Sequence, residues 1–312
     1  MPLAIELAAG RLSSFSLADL HRRLDRSLDL LGGGRPTADA RHRTLRATVE
    51  WSYRLLPADE RTLFRYLSVF VDGIDLDDAE WLATELGLAT DPGSVLAHLV
   101  DASMIDAVIG VGTRYRMLET LRAFGLDRLA DAGETAAATS IFLHWAVRLT
   151  GWLATALSTD HEPAADGVLR RELPNLRAAW RLARGRENVD DAAAIVSALF
   201  DAVAYRDLLE IRRWAEELAA DPALVGHQRA GSVFGTAAEA AYHRGDYAEA
   251  ERLARSGLGL AFDEADSRYC WSALSVAALA RGSFADAVEH ALTATTRFSP
   301  GRTVRVAAVS AC

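Results

Sequence analysis

The chain has 312 residues, 50% hydrophobic and 25% charged, and its 34 basic and 43 acidic side chains give a net charge of −9. This composition suits two or three globular domains, is too apolar for a disordered chain, and argues against a non-specific nucleic-acid binder. Two cysteines, Cys270 and Cys312, exclude a disulfide framework and a four-ligand cysteine zinc site, and point to a reducing cytoplasm.

Residues 2–31 read as helices. Pro2 suits a first helical turn, where its missing N–H costs nothing. Leu3, Ile5, Leu7 and Leu12 form one apolar segment; Ser16 caps a second, with Leu17, Leu20, Leu24, Leu28 and Leu31 at steps of three and four. Glu6 interrupts the first apolar run and no basic region precedes it, so a secretory signal is not expected. Residues 32–43 read as a Gly- and Pro-containing linker. All 34 basic residues are Arg; a Walker-type phosphate loop needs Lys, so Gly32-Gly33-Gly34-Arg35-Pro36-Thr37 is a linker and not a phosphate cradle.

An amphipathic helix is expected over 44–56, ended by Pro57. A second spans 58–70, with Leu63, Phe64, Leu67 and Phe70 on one side, and Gly73 breaks it. Asp75, Asp77 and Asp78 precede a helix over 79–86 at its favoured acidic end; their spacing does not fit a calcium loop. Asp91-Pro92-Gly93-Ser94 is a turn and cap for a short helix over 95–103. Residues 104–109 and 113–118 flank Gly110-Val111-Gly112 as a β-hairpin. A helix over 119–130 follows, closed by Asp131-Ala132-Gly133. Three helices and then a hairpin is the order of a winged helix.

From about residue 136 the chain is Ala-rich and helical, without strand signals. Arg244-Gly245-Asp246-Tyr247-Ala248-Glu249-Ala250 aligns with Arg281-Gly282-Ser283-Phe284-Ala285-Asp286-Ala287, an offset of 37 residues. Each unit reads helix, glycine turn, aromatic, Ala-rich helix. Small residues let paired helices approach, and the aromatic is expected to fill the space between repeats. The pattern resembles a tetratricopeptide repeat, whose usual period is about 34. Residues 303–312 are expected to begin a further, unfinished repeat.

Several strings, in order, resemble the STAND class of regulatory ATPases. Pro2-Leu3-Ala4 resembles part of the Gly-Leu-Pro-Leu-Ala motif of NB-ARC domains. Trp51-Ser52-Tyr53, Leu67-Ser68-Val69-Phe70 and Arg114 through Arg122 resemble the winged-helix segment of actinobacterial members. Arg171-Glu172-Leu173-Pro174-Asn175-Leu176-Arg177-Ala178-Ala179-Trp180 resembles the lead into their helical repeats. The resemblance implies that Pro2 is a remnant adenine contact. It also puts a phosphate-binding His of a Met-His-Asp motif where this chain has Met117-Leu118-Glu119, a departure that removes the donor. ATP or ADP is then expected only if an upstream phosphate-loop domain is supplied; this chain by itself implies no cofactor.

Catalytic constellations do not emerge. The eight histidines show no His-Glu-x-x-His spacing, no metal pattern includes cysteine, and no Gly-x-Ser-x-Gly elbow occurs. Glu216-Glu217 and Asp190-Asp191 read as solvated surface. The candidate DNA-reading helix, 94–103, has no Arg. Arg114 and Arg116 alternate along the second hairpin strand and read as a solvated face. Arg22, Arg23, Arg26, Arg41, Arg43 and Arg46, interspersed with aspartates, read as a solvated or interdomain face. No apolar run reaches the roughly 18–20 residues of a membrane span.

The expected fold is mainly α: an NB-ARC helical-bundle remnant (1–40), a winged helix with a small β-hairpin (41–135), and a truncated tetratricopeptide-like α-solenoid (136–312). The expected function is that of a non-enzymatic, cytoplasmic regulatory module contacting protein partners through its winged helix and repeats. Direct DNA binding by the winged helix, and a non-functional remnant of a truncated gene, stay open as alternatives.

Overall fold

The computed structural model describes the backbone of residues 38–110 and 112–296, and side chains from 46 to 295 apart from 111. Pro2, the 1–37 helices and linker, and the segment 303–312 lie outside the described residues. The fold is mainly α, with fourteen α-helices among the described residues and one small antiparallel sheet. The chain divides into two compact units, Met1–Phe142 and Leu143–Cys312.

In the first unit, α1 (Ala38–Leu55) begins six residues before the expected position. Its opening stretch holds no Gly or Pro to delay it, so the expected linker ends sooner. Pro57 separates it from α2 (Ala58–Leu67), which stops short of Phe70 in a looser turn where Phe70 N–H donates to the Leu67 carbonyl (3.1 Å). Gly73, at φ +77°, turns the chain into β1 (Ile74–Asp75). This two-residue strand, too short for periodicity to reveal, was not expected. It leads straight into α3 (Leu76–Glu85), with Asp77 and Asp78 in the first turn. Asp91 caps α4 (Pro92–Asp101) by accepting from Ser94 N–H (2.8 Å).

The hairpin is β2 (Asp106–Ile109) and β3 (Thr113–Arg116), followed by α5 (Glu119–Asp131). The sheet order is β1-β3-β2, so β3 is central; Asp75 lies opposite Arg114, and Asp106 opposite Arg116. Leu63, Phe64, Leu96, Leu99 and Met104 are fully buried in this unit. Tyr53, Phe64 and Phe124 bring α1, α2 and α5 together with ring centroids 5.5–6.3 Å apart. Arg65 pins the same corner: it donates to both Glu134 oxygens (2.7 Å each) and to the Tyr53 hydroxyl (2.9 Å).

Helix α6 (Thr135–Ala156) carries the boundary between the units. The second unit continues with α7 (Glu162–Gly185), α8 (Val189–Ala198), the six-residue α9 (Phe200–Tyr205), α10 (Leu209–Ala219), α11 (Ala230–His243), α12 (Tyr247–Leu260), α13 (Glu264–Ala280) and α14 (Phe284–Thr296). Its expected repeat takes physical form in two matching turns. Gly245 and Gly282 both sit at φ +79°. In each, the glycine N–H and the next N–H return to the last carbonyls of the preceding helix (2.8 and 3.1 Å; 3.0 and 2.9 Å).

The space between repeats is not filled as expected. Tyr247 is 36% and Phe284 67% exposed. Backbone contact closes the gap instead. A Cβ on Gly235 would lie 2.6 Å from the Tyr269 carbonyl carbon, and one on Gly257 2.5 Å from Cys270 Sγ.

A second periodicity escaped the sequence reading. Arg177 of α7 pairs bidentately with Glu210 of α10 (2.6 and 2.7 Å), Arg184 with Glu217 (3.2 Å), and Trp180 stacks on Trp214 (centroids 5.4 Å). Positions rise together on both helices at offsets of 33 and 34 residues, so α7 and α10 run parallel.

Candidate functional site

Helix α4 is where a DNA-reading surface was expected. Val95, Leu96 and Leu99 face the core, leaving Ser94, Ala97, His98 and Asp101 exposed. None of these is Arg, Lys, Asn or Gln, the side chains that read base edges by bidentate contacts. The His98 ring is already engaged, with Nδ1 2.9 Å from Glu60 Oε1.

The hairpin corrects one expectation. Arg114 is not on a solvated face; it is 6% exposed. As β3 is the central strand, its cross-strand neighbour Asp75 meets it: Nη1 donates to Asp75 Oδ1 (2.9 Å), Nε to the Asp72 carbonyl (3.0 Å), and Nη2 to the Gly73 carbonyl (3.2 Å). The guanidinium thus ties the turn before β1 to the hairpin. Arg116 is exposed, as expected, with Asp72 3.4 Å away.

Beside the charged Asp106 and Arg116, the hairpin offers apolar side chains outward. All four β2 residues are exposed, Ile109 at 86%. β2 is an edge of the described sheet, with backbone groups on its outer side free to pair. Val71, Val108 and Leu118 are also exposed. Leu118 stands where the family resemblance implied a phosphate-binding His, and its side chain has no polar atom. Leu118 therefore cannot donate a hydrogen bond to a phosphate there. Arg46, the described member of the basic cluster, pairs with Asp127 (2.8 Å).

In the helical unit the paired acids are more engaged than expected. Glu216 pairs with Arg244, Glu217 with Arg184, Asp190 with His227, and Asn188 donates to Asp191. Helix α11 lies among α8, α9, α10, α12 and α13. Asp266 of α13 caps its N-terminus, accepting from Gly231 and Ser232 N–H (2.8 Å each). Cys270 is buried as expected; its Sγ donates to the Gly231 carbonyl (3.1 Å), and burial pushes the thiol up to about 12. Glu239, which the sequence reading passed over, is buried in α11. Burial raises it to about 7, with Arg212 opposing and Asp201 adding to the rise. Burial likewise lowers His243. Among the described residues no three His, Cys, Asp or Glu side chains converge as a metal site, and no helix is long and apolar enough to cross a membrane.

No family profile matches the chain, and no solved structure matches it. Two curated proteins, from Mycobacterium tuberculosis (strain H37Rv) and Mycobacterium bovis, are named "Putative HTH-type transcriptional regulator". Each is 39% identical over 203 residues, which is 64% of this chain and 23% of theirs. An "Uncharacterized protein" of Mycobacterium tuberculosis is 35% identical over 137 residues, 43% of this chain and 35% of its own. The chain therefore spans between 23% and 35% of the length of these curated relatives.

Proposed function

We propose that this chain is a non-catalytic, cytoplasmic regulatory segment of a STAND-type transcriptional regulator, working through protein contacts. In this reading residues 41–135 are a winged helix and 136–312 a tetratricopeptide-like array. The relatives' name supports regulation of transcription. Helices α2, α3 and α4 followed by a hairpin, with β1 between α2 and α3 completing the sheet, support the winged helix. The matched glycine turns support the array. The observation that carries the choice of protein over DNA is the exposed face of α4, which holds no base-reading side chain, together with a hairpin that exposes Val108 and Ile109 and whose exposed arginine, Arg116, lies 3.4 Å from Asp72. Adenine nucleotide, if the regulator uses it, is held by another part of the protein.

The relatives' HTH-type name favours a second reading, direct DNA binding by the winged helix. Fluorescence anisotropy on duplex DNA at rising salt separates the two. We expect no salt-sensitive binding. Association tighter than about 10 μM at low salt, weakening linearly against log salt, would replace the first reading by the second. A photo-crosslinker at position 109 in the longer regulator adds a positive test: adducts to polypeptide are expected, and adducts to DNA alone would reject protein contact.

A further inference from the structure

The short helix α9 is held at its C-terminal end from outside. Six residues make fewer than two turns, too few for a helix to persist alone. Arg212 of α10 donates through Nη2 to the carbonyls of Arg206 (2.9 Å) and Val203 (3.4 Å). His243 of α11 donates through Nε2 to the carbonyl of Ala204 (2.9 Å). Donors and positive charge at this end complement the helix dipole and satisfy carbonyls that have no partner within the helix.

Glu239 sits one turn before His243, with Oε1 3.6 Å from that same Nε2. Its Oε2 is buried without a hydrogen-bond partner among the described residues, and so is Arg212 Nε. Carbonyls of α9 and a buried carboxyl group therefore lie near the same two donors. Hydrogen bonds to an ionised acceptor are roughly twice as strong as neutral ones, so the charge on Glu239 decides the competition.

We propose that Glu239 is a proton-sensitive latch. As the neutral acid it leaves Arg212 and His243 on the carbonyls of α9; as the carboxylate it draws both donors to itself and releases α9 from α10 and α11. Ionisation gives the proton to solvent, and nothing else is exchanged. The groups facing Glu239 frame the response. Arg212 of α10 favours the carboxylate and Asp201 of α9 opposes it. His243 and Tyr242 share its helix; Asp207, beyond α9, acts on His243, and Tyr247 of α12 acts on Tyr242. Burial places the transition near neutral pH.

Hydrogen exchange on the 312-residue chain tests this at pH 6 and pH 8, corrected for intrinsic rates. The α9 amides are expected to lose about tenfold in protection at pH 8, the weight of one pH unit beyond the transition. Glu239→Gln, neutral at both values, is expected to keep its pH 6 protection at pH 8. A wild type whose α9 protection is the same at both values, or a variant that loses it in parallel, overturns the latch. Should the variant fail to fold, the infrared carbonyl band of the protonated acid in glutamate-labelled wild type decides. A band present at pH 6 and gone at pH 8 supports the latch, and its absence at pH 6 overturns it.

Discussion

Gly73 meets two demands that no other residue satisfies. Its φ of +77° lies in the left-handed region, and a Cβ there would stand 2.2 Å from the Tyr115 carbonyl oxygen. The turn must pass close to β3 because Arg114 gathers the Asp72 and Gly73 carbonyls and Asp75 onto one guanidinium. Gly73→Ala is therefore expected to cost about 3 kcal/mol, part from backbone strain and part from the collision. A urea midpoint shift at unchanged slope would measure it, and a change under about 0.5 kcal/mol would show that the turn relaxes freely. The sequence suggested Gly73 as the breaker of a helix over 58–70, but that helix already ends at Leu67, and Gly73 instead makes the turn into β1. Sequence reading misjudged Arg114, because alternation along β3 tells which residues share a face but not whether a further strand covers it. The missing fact was β1, two residues long.

At the scale of elements, the second unit is built on glycine contacts. Gly231 and Gly235 of α11 and Gly257 of α12 lie so near α13 that a methyl group on any of them would strike atoms under 3.0 Å away. Gly259, also on α12, has open space around it. Gly235→Ala is expected to lose about 2 kcal/mol by prising α11 from the α13 backbone. Gly259→Ala is expected to be neutral or to gain up to about 1 kcal/mol from helix propensity. Thermal midpoints of the two variants should move apart; equal shifts would mean that the close approach does not control stability. The glycine turns at 245 and 282 were legible because the same string recurs. The α7–α10 ladder was not, because its matching positions are complementary, Arg against Glu, rather than alike. Only Trp180 and Trp214 repeat in kind, and one pair is no pattern.

For the whole molecule, the buried Glu239 and the partly exposed His243 set opposing pH dependences. Glu239 is raised from 4.5 to about 7 in the fold. Between those values the folded chain binds a proton that the unfolded chain has released, so stability falls as pH rises, by about 3 kcal/mol in all. His243 is lowered from 6.5, so its contribution falls as pH drops below 6.5. Between pH 5 and 6.5 the two slopes oppose, and from 6.5 to 7.5 the Glu239 loss stands alone. In Glu239→Gln, stability should instead rise with pH to about 6.5 and then level off. Urea midpoints taken from pH 5 to 8 check the reversal; matching curves for the two proteins would remove Glu239 as the source.

Hydrophobic periodicity, proline and glycine punctuation and one recurring string were enough to determine a mainly helical chain with one hairpin and paired Ala-rich helices. These signals are local: each is satisfied within one element or between neighbours in sequence, so they can be read in a line. Tertiary structure alone decided that Arg114 turns inward, that glycine contacts bring α11 and α12 against α13, and that Glu239 lies beside donors already committed to α9. Each of these depends on what distant segments bring to the same place. Burial, and with it the charge a side chain can bear, belongs to that neighbourhood and not to the residue.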